Sequence, residues 1–240
     1  MEVTIFKDYE QLSQQTAAEV IGLVKEKPDA VICLASGSSP LGTCQWIVKK
    51  AKAEHIDLSE VSFIGLDEWV GVAKENTGSC YFFFQENLFR PLQISEDQIF
   101  LFDSAAADWQ RECKKMDDLI AARSGIDLMI VGIGMNGHIG FNEPGVRSDL
   151  LSHVIDLEEM TRSVGQKYFS APTELSKGIT LGLGHLLKAK KAILIASGQA
   201  KAGIIKKAVQ GEVTSSLPAT IMQKHPNGFV YLDQQAACLL

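Results

Sequence analysis

The chain reads as an α/β fold: a single-domain, Rossmann-like, mostly parallel sheet with helices on both faces, spanning residues 1–240. Three observations predict it. Six short apolar, β-rich runs alternate with amphipathic helical stretches, and such alternation demands right-handed crossovers between parallel strands. Some of those runs are continuously apolar, as expected of strands covered on both faces. No repeat, low-complexity run or Pro/Gly/Ser linker divides the 240 residues, a length that α/β folds often reach as one unit.

Taken in order, Tyr9–Glu26 reads as a helix with Asp8 as its N-cap. Ala30–Ala35 (AVICLA) is a near-continuous apolar run and therefore a buried strand. A helix follows from about Pro40 to Glu54, proline being tolerated in a first turn. Val61–Leu66 is the second strand, Thr77–Phe89 a helix, Gln98–Phe102 a strand and Ala105–Arg123 a helix. Asp127–Ile133 is the most apolar strand of all. Ala192–Ala196 and Phe229–Leu232 are the last two strands, and a helix from about Gln199 to Val209 separates them. Trp46, Trp109 and the run Tyr81-Phe82-Phe83-Phe84 read as core on helical faces.

Composition removes several classes of function. Lys plus Arg is 23 and Asp plus Glu is 29, a formal net charge of −6, with 46% apolar and 22% charged residues. A disordered chain would be less apolar and more highly charged. No stretch approaches ~18 consecutive apolar residues, so no membrane span is expected. A pI near 5.4 without a basic stripe argues against a nucleic-acid surface. The N-terminal MEVTIFKDYE lacks a secretory pattern. The five cysteines, Cys33, Cys44, Cys80, Cys113 and Cys238, are an odd number with no C-x-x-C spacing. That predicts free thiols in a reducing cytoplasm.

Ligands of such sheets bind beyond the carboxyl ends of the strands, so four loops stand out. Ser36-Gly37-Ser38-Ser39-Pro40 follows AVICLA and opens a helix. A glycine for close approach, three hydroxyls and a helix N-terminus suit a phosphate dianion or, equally, an ordinary βα turn. Asp67-Glu68-Trp69 follows VSFIGL. Its adjacent carboxylates are poorly suited to a core, and alternation allows one to face a ligand while the other anchors the loop. A partly desolvated carboxylate can act as a base toward a C–H beside a carbonyl.

The third loop, running from Gly132 to Pro144, carries Asn136, His138 and Glu143. Gly132, Gly134 and Gly137 match G-x-G-x-x-G, but the loop continues to Gly145 instead of opening a helix, which argues against a dinucleotide site. An imidazole among such glycines, with a carboxylate to orient it, suits proton shuttling. Ser197-Gly198-Gln199-Ala200-Lys201 repeats the logic of the first loop and adds a cation. His55, His153, His185 and His225 lack ligand spacing, so no metal is expected.

SGSSP, LDEWVG, GIGMNGHIGFNEPG and SGQAK, in this order and at these spacings, resemble the glucosamine-6-phosphate deaminase/isomerase family over nearly the whole chain. PDAVICLASGSSP, the tryptophan of LDEWV and GITLGL at Gly178–Leu183 also resemble its galactosamine-6-phosphate branch. The resemblance implies that Ser36, Gly37, Ser38, Ser39 and Lys201 hold a 6-phosphate, with Lys167 aligned to an arginine of many members. It implies that His138, oriented by Glu143 with Asn136, opens the pyranose ring, and that Asp67 carries a proton from C2 to C1. The product would be a ketohexose 6-phosphate plus ammonia, with no cofactor or metal.

Two departures stand in this chain. Asn136 replaces an aspartate of some members and can orient but not accept a proton, and Lys167 lacks the bidentate fork of arginine. At 240 residues the chain is shorter than the hexameric, allosterically regulated members. A monomer or small homo-oligomer without control by an N-acetylated sugar phosphate is therefore expected. Two other readings stay open: a 6-phosphogluconolactonase-like hydrolase on a similar fold, and a non-enzymatic sugar-phosphate sensor.

Overall fold

The computed structural model describes residues 1–240. In chain order the elements are β1 (Glu2–Phe6), α1 (Tyr9–Glu26), β2 (Val31–Leu34), α2 (Ser38–Ala53), β3 (Ser62–Gly65) and β4 (Asp67–Trp69). Then come α3 (Cys80–Phe84), α4 (Arg90–Leu92), β5 (Ile99–Phe100), α5 (Trp109–Ala122), β6 (Leu128–Val131) and β7 (His153–Asp156). The chain ends with α6 (Glu159–Gly165), β8 (Lys177–Thr180), α7 (Leu183–Lys188), β9 (Lys191–Ala196), α8 (Ala202–Gln210) and β10 (Gly228–Asp233). No helix is long and apolar enough to cross a membrane.

Seven strands form one sheet in the order β1-β10-β9-β6-β2-β3-β5, and every pairing in it is parallel. The unbroken apolar run of β2 is explained by its two faces. Val31, Cys33 and Ala35 join one buried cluster, Ile32 and Leu34 the opposite one. α1 closes the second face through Leu12, Ala17, Val20, Ile21 and Val24, a helical repeat that presents one stripe. Asp8 accepts from the Gln11 N–H at 2.9 Å and caps this helix.

From β2 the chain runs outward through β3 and β5, then returns to place β6 on the other side of β2. The strand order reverses there, and the loops leaving β2 and β6 diverge above a crevice. Both are loops that the sequence singles out.

The structure corrects several expectations. A seventh strand, β1, pairs with β10 at the sheet edge; its five residues include exposed Ile5, so no buried run announces it. Asp67–Trp69 is a short strand, not a loop. It pairs antiparallel with β8, which pairs with β7 in a second, three-stranded sheet. α2 begins at Ser38, before Pro40. α3 begins at Cys80 under the Ser79 cap and widens into a π-helical turn at Gln85–Phe89. α5 begins at Trp109 because Asp108 caps it, accepting from the Arg111 N–H. The strand expected over Gln98–Phe102 shrinks to β5, two residues long. The helix expected from Gln199 opens as a 3₁₀ turn before α8. Trp109 is exposed, Trp46 and Tyr81–Phe83 are half-buried, and only Phe84 of that run lies in the core.

Candidate active site

A cavity of about 470 Å³ opens above the β2/β6 crevice. Ser36, Gly37, Ser38, Ser39, Asp67, Asn136, His138, Lys167 and Lys201 all line it, and Glu143 lies behind His138. Three sequence-distant loops, β4 and the segment after α6 thus share one space.

At one end, Gly37 turns the chain with φ at +99°, a left-handed backbone that favours glycine. A Cβ there would meet the Tyr168 hydroxyl at 2.9 Å. The first turn of α2 follows with no side-chain cap, so its N–H groups are available to an anion. Tyr9, which sequence reasoning missed, braces this turn: its hydroxyl lies 2.9 Å from the Ser38 carbonyl and accepts from the Gly42 N–H at 2.8 Å. Lys201 Nζ donates to the Ile133 carbonyl at 2.6 Å, which fixes the cation at the end of β6. Burial, then the charge of Lys167, pulls Lys201 down to about 8. The Ser197 hydroxyl and the Gly198 N–H are fastened to Asp233, so this loop is held from below.

Along the wall, Asp67 and Glu68 have different partners. Glu68 is buried and accepts N–H bonds from Trp69, Cys80 and Tyr81 at 2.8, 3.0 and 2.8 Å. It therefore pins β4 to the start of α3. Asp67 accepts only the Cys80 thiol, at 3.8 Å, and stays partly open to the cavity. Burial, and then the neighbouring Glu68 charge, pushes the Asp67 carboxyl up to about 7.

His138 lies across Gly134, where a Cβ would stand 2.3 Å from its ring; this close approach is what the loop glycine permits. Nδ1 is 3.5 Å from Glu143 Oε2 and 3.1 Å from Thr161 Oγ1. Asn136 Nδ2 donates to the same Glu143 oxygen at 2.8 Å, and Asn136 Oδ1 accepts from the His138 N–H at 3.2 Å. Burial raises the Glu143 carboxyl, but bonds from His138, Thr161 and Asn136 outweigh it and hold the group below its ordinary value. An ionised Glu143 only accepts, so it selects the tautomer with the proton on Nδ1 and leaves Nε2 as an acceptor. Thr161 and Cys80 were not legible as site residues. Each sits on a helix far from the motif it touches, and no local pattern marks either one.

Residues 7–231 match the family described as glucosamine-6-phosphate isomerases/6-phosphogluconolactonase. A glucosamine-6-phosphate deaminase of Thermoanaerobacter pseudethanolicus is 39% identical, the alignment covering 100% of this chain and 95% of that one. Another, from Halothermothrix orenii, is 39% identical across 100% of both chains. Among solved structures, a monomeric glucosamine-6-phosphate deaminase superposes with a TM-score of 0.96 at 32% identity, covering 100% of both chains. A 6-phosphogluconolactonase from Trypanosoma brucei superposes at 0.80 with 18% identity, covering 100% of this chain and 98% of that one, a likeness of fold alone.

Proposed function

We propose that this chain, which belongs to the glucosamine-6-phosphate isomerase/6-phosphogluconolactonase family, converts a hexosamine 6-phosphate and water to a ketohexose 6-phosphate and ammonia. The observation that carries the reading is the shared cavity. Asp67 and His138 line the same space as the Ser36–Ser39 turn, Lys167 and Lys201, so a phosphate clamped at one end holds the reacting carbons beside the acid–base groups at the other.

The steps follow from the groups present. Serine hydroxyls, α2 N–H groups and the two lysines take the phosphate dianion. His138 Nε2, with its tautomer set by Glu143, accepts the anomeric hydroxyl proton and returns it to the ring oxygen, opening the pyranose. Asp67 removes the proton from C2 and delivers it to C1, leaving an iminium at C2. Water adds there, the C–N bond breaks, and ammonia departs. A carboxyl near 7 suits this task, because it is basic enough to take a carbon-bound proton yet still half-ionised at neutral pH. Ring opening and the C2-to-C1 transfer move only protons, and the last step exchanges the iminium nitrogen for a water oxygen, so acid–base chemistry accounts for the whole sequence. We infer the same setting the thiols suggest, a reducing cytoplasm, since all five cysteines are free, and a monomer or small homo-oligomer.

Glucosamine 6-phosphate and galactosamine 6-phosphate are incubated separately with the purified protein, and ammonia is measured. Release from either supports the reading, and the ratio of the two rates assigns the C4 preference. No ammonia from either sugar, with 6-phosphogluconolactone hydrolysed above its spontaneous rate, would place the chain in the other branch of the family.

A further inference from the structure

We propose that Cys80 is a positioning residue for the base: its S–H donates to Asp67 Oδ1 while its sulfur accepts the hydroxyl of Ser36. The chain of contacts runs from Ser36 Oγ to Cys80 Sγ at 3.0 Å, and from Cys80 Sγ to Asp67 Oδ1 at 3.8 Å. One thiol thus bridges the turn that binds phosphate and the carboxylate that takes the carbon proton. The inference rests on the reading of Asp67 as that base.

Three features make Cys80 suited to the role. It is the first residue of α3, and its own N–H is fixed on Glu68 at 3.0 Å, so its backbone cannot drift from β4. It is buried, and burial followed by the charges of Glu68 and Asp67 drives its thiol well above the ordinary range. The sulfur therefore keeps its proton, which excludes a thiolate nucleophile and leaves a donor aimed at an acceptor. The strength of that donor also matters. Thiols are weak donors, so Cys80 restrains Asp67 while lowering its carboxyl less than burial and the charge of Glu68 raise it. A strong hydroxyl donor at the same distance would stabilise the carboxylate and pull it out of the range useful for carbon acids.

The other groups facing Asp67 do not duplicate this contact. Glu68 on its own strand acts only through charge and raises Asp67, as does burial. Cys33 of β2 is fully buried, and burial followed by the charge of Asp67 raises its thiol. Thr180, opposite Asp67 on β8, lies against the Phe141 N–H and the Leu66 and Leu181 carbonyls. His138 lines the same cavity but is bonded to Thr161 and Glu143.

The test is infrared spectroscopy of the S–H stretch in the ligand-free protein, with the Cys80 band assigned by its loss in Cys80→Ala, or in Cys80→Ser should the alanine variant not fold. The band is expected to shift to lower frequency as pH rises through about 7, and to stay fixed in Asp67→Asn. In kinetics, Cys80→Ala moves the acidic limb of kcat/KM upward by about half a pH unit with KM unchanged. A band indifferent to pH, or one that shifts equally in Asp67→Asn, overturns the proposal. So does a limb that stays in place while only thermal stability falls. The spectra need no turnover: a pH-linked band in a protein that releases no ammonia would sink the proposed function and keep the contact, and the reverse result would do the opposite.

Discussion

Asp67 is held at about 7 by burial and by the charge on Glu68, and that position has a kinetic and a thermodynamic consequence. In kinetics, kcat/KM should rise as pH climbs through about 7, since the base must be ionised. Asp67→Asn should cost ~10²–10⁴ in kcat while the sugar phosphate still binds, as a titration of the variant by calorimetry would reveal. In stability, the folded value lies above the unfolded one of ~3.9. Between the two, the native state binds more protons than the unfolded state, so stability is lost as pH rises through the folded value. Asp67→Asn removes that penalty: its melting temperature should exceed the wild type's at pH 8, and the difference should vanish at pH 4. Lys201 has the opposite chemistry at the other end of the cavity. Its ammonium, brought to about 8 by burial and by Lys167, is the form that would hold phosphate under the proposed function. KM should therefore climb as pH passes about 8 while kcat holds, and a pH series of initial rates separates this from the Asp67 limb.

At the scale of elements, the small sheet and α6 assemble the site more than their size suggests. β8 pairs Thr180 against Asp67, and the Leu181 carbonyl after it accepts from Asn142, which ties down the loop of His138. α6 contributes Thr161, whose buried hydroxyl meets both His138 Nδ1 and Glu143. Thr161→Val keeps the shape and removes the hydroxyl. The imidazole then loses one of its two orienting partners, and kcat should fall about tenfold with KM little changed; steady-state rates at pH 8 would measure it. These elements are also where sequence reasoning ran out. β4, β7 and β8 are three or four residues long, and β8 contains Lys177 and Gly178, neither of which favours a strand. Their strand character comes from pairing across the chain, Asp67 with Thr180 and His153 with Thr180. Local composition cannot carry that information. The buried parallel strands are the contrary case: β2 and β6 are no longer, at four residues each, but burial on two faces writes itself into the sequence as an apolar run. The loops that end those strands could be found for the same reason, and the residues that reach the cavity from α3 and α6 could not.

Across the whole molecule, chemistry and stability occupy opposite ends of the parallel sheet. The loops that line the cavity leave the carboxyl ends of β2, β6 and β9, whereas Asp127 sits just before β6 at the amino ends. Its buried carboxylate accepts from the Val31 N–H at 2.8 Å and pairs with Lys190 at 2.7 Å and Lys27 at 3.1 Å. Those contacts join the chain just before β2, β6 and β9, the three central strands. Burial raises this carboxyl, but Lys190, the Val31 N–H and Lys27 outweigh it and hold it below its ordinary value. Asp127→Ala would leave the Val31 N–H without its partner and two lysines without a counter-charge. Both lysines are partly exposed and so keep much of their hydration, which limits the cost to about 2 kcal/mol. For a chain of this length that is roughly 5 °C in melting temperature. Because the folded value is depressed, the stabilisation is present above ~4 and fades as pH falls through the folded value. The gap between wild type and Asp127→Ala should be full at pH 7 and close under acid. The cavity lies at the other end of the same strands and loses no contact, so kcat and KM of Asp127→Ala at 25 °C should match the wild type's. A variant that lost activity in proportion to its stability would show instead that the sheet transmits strain from its base to the reacting groups.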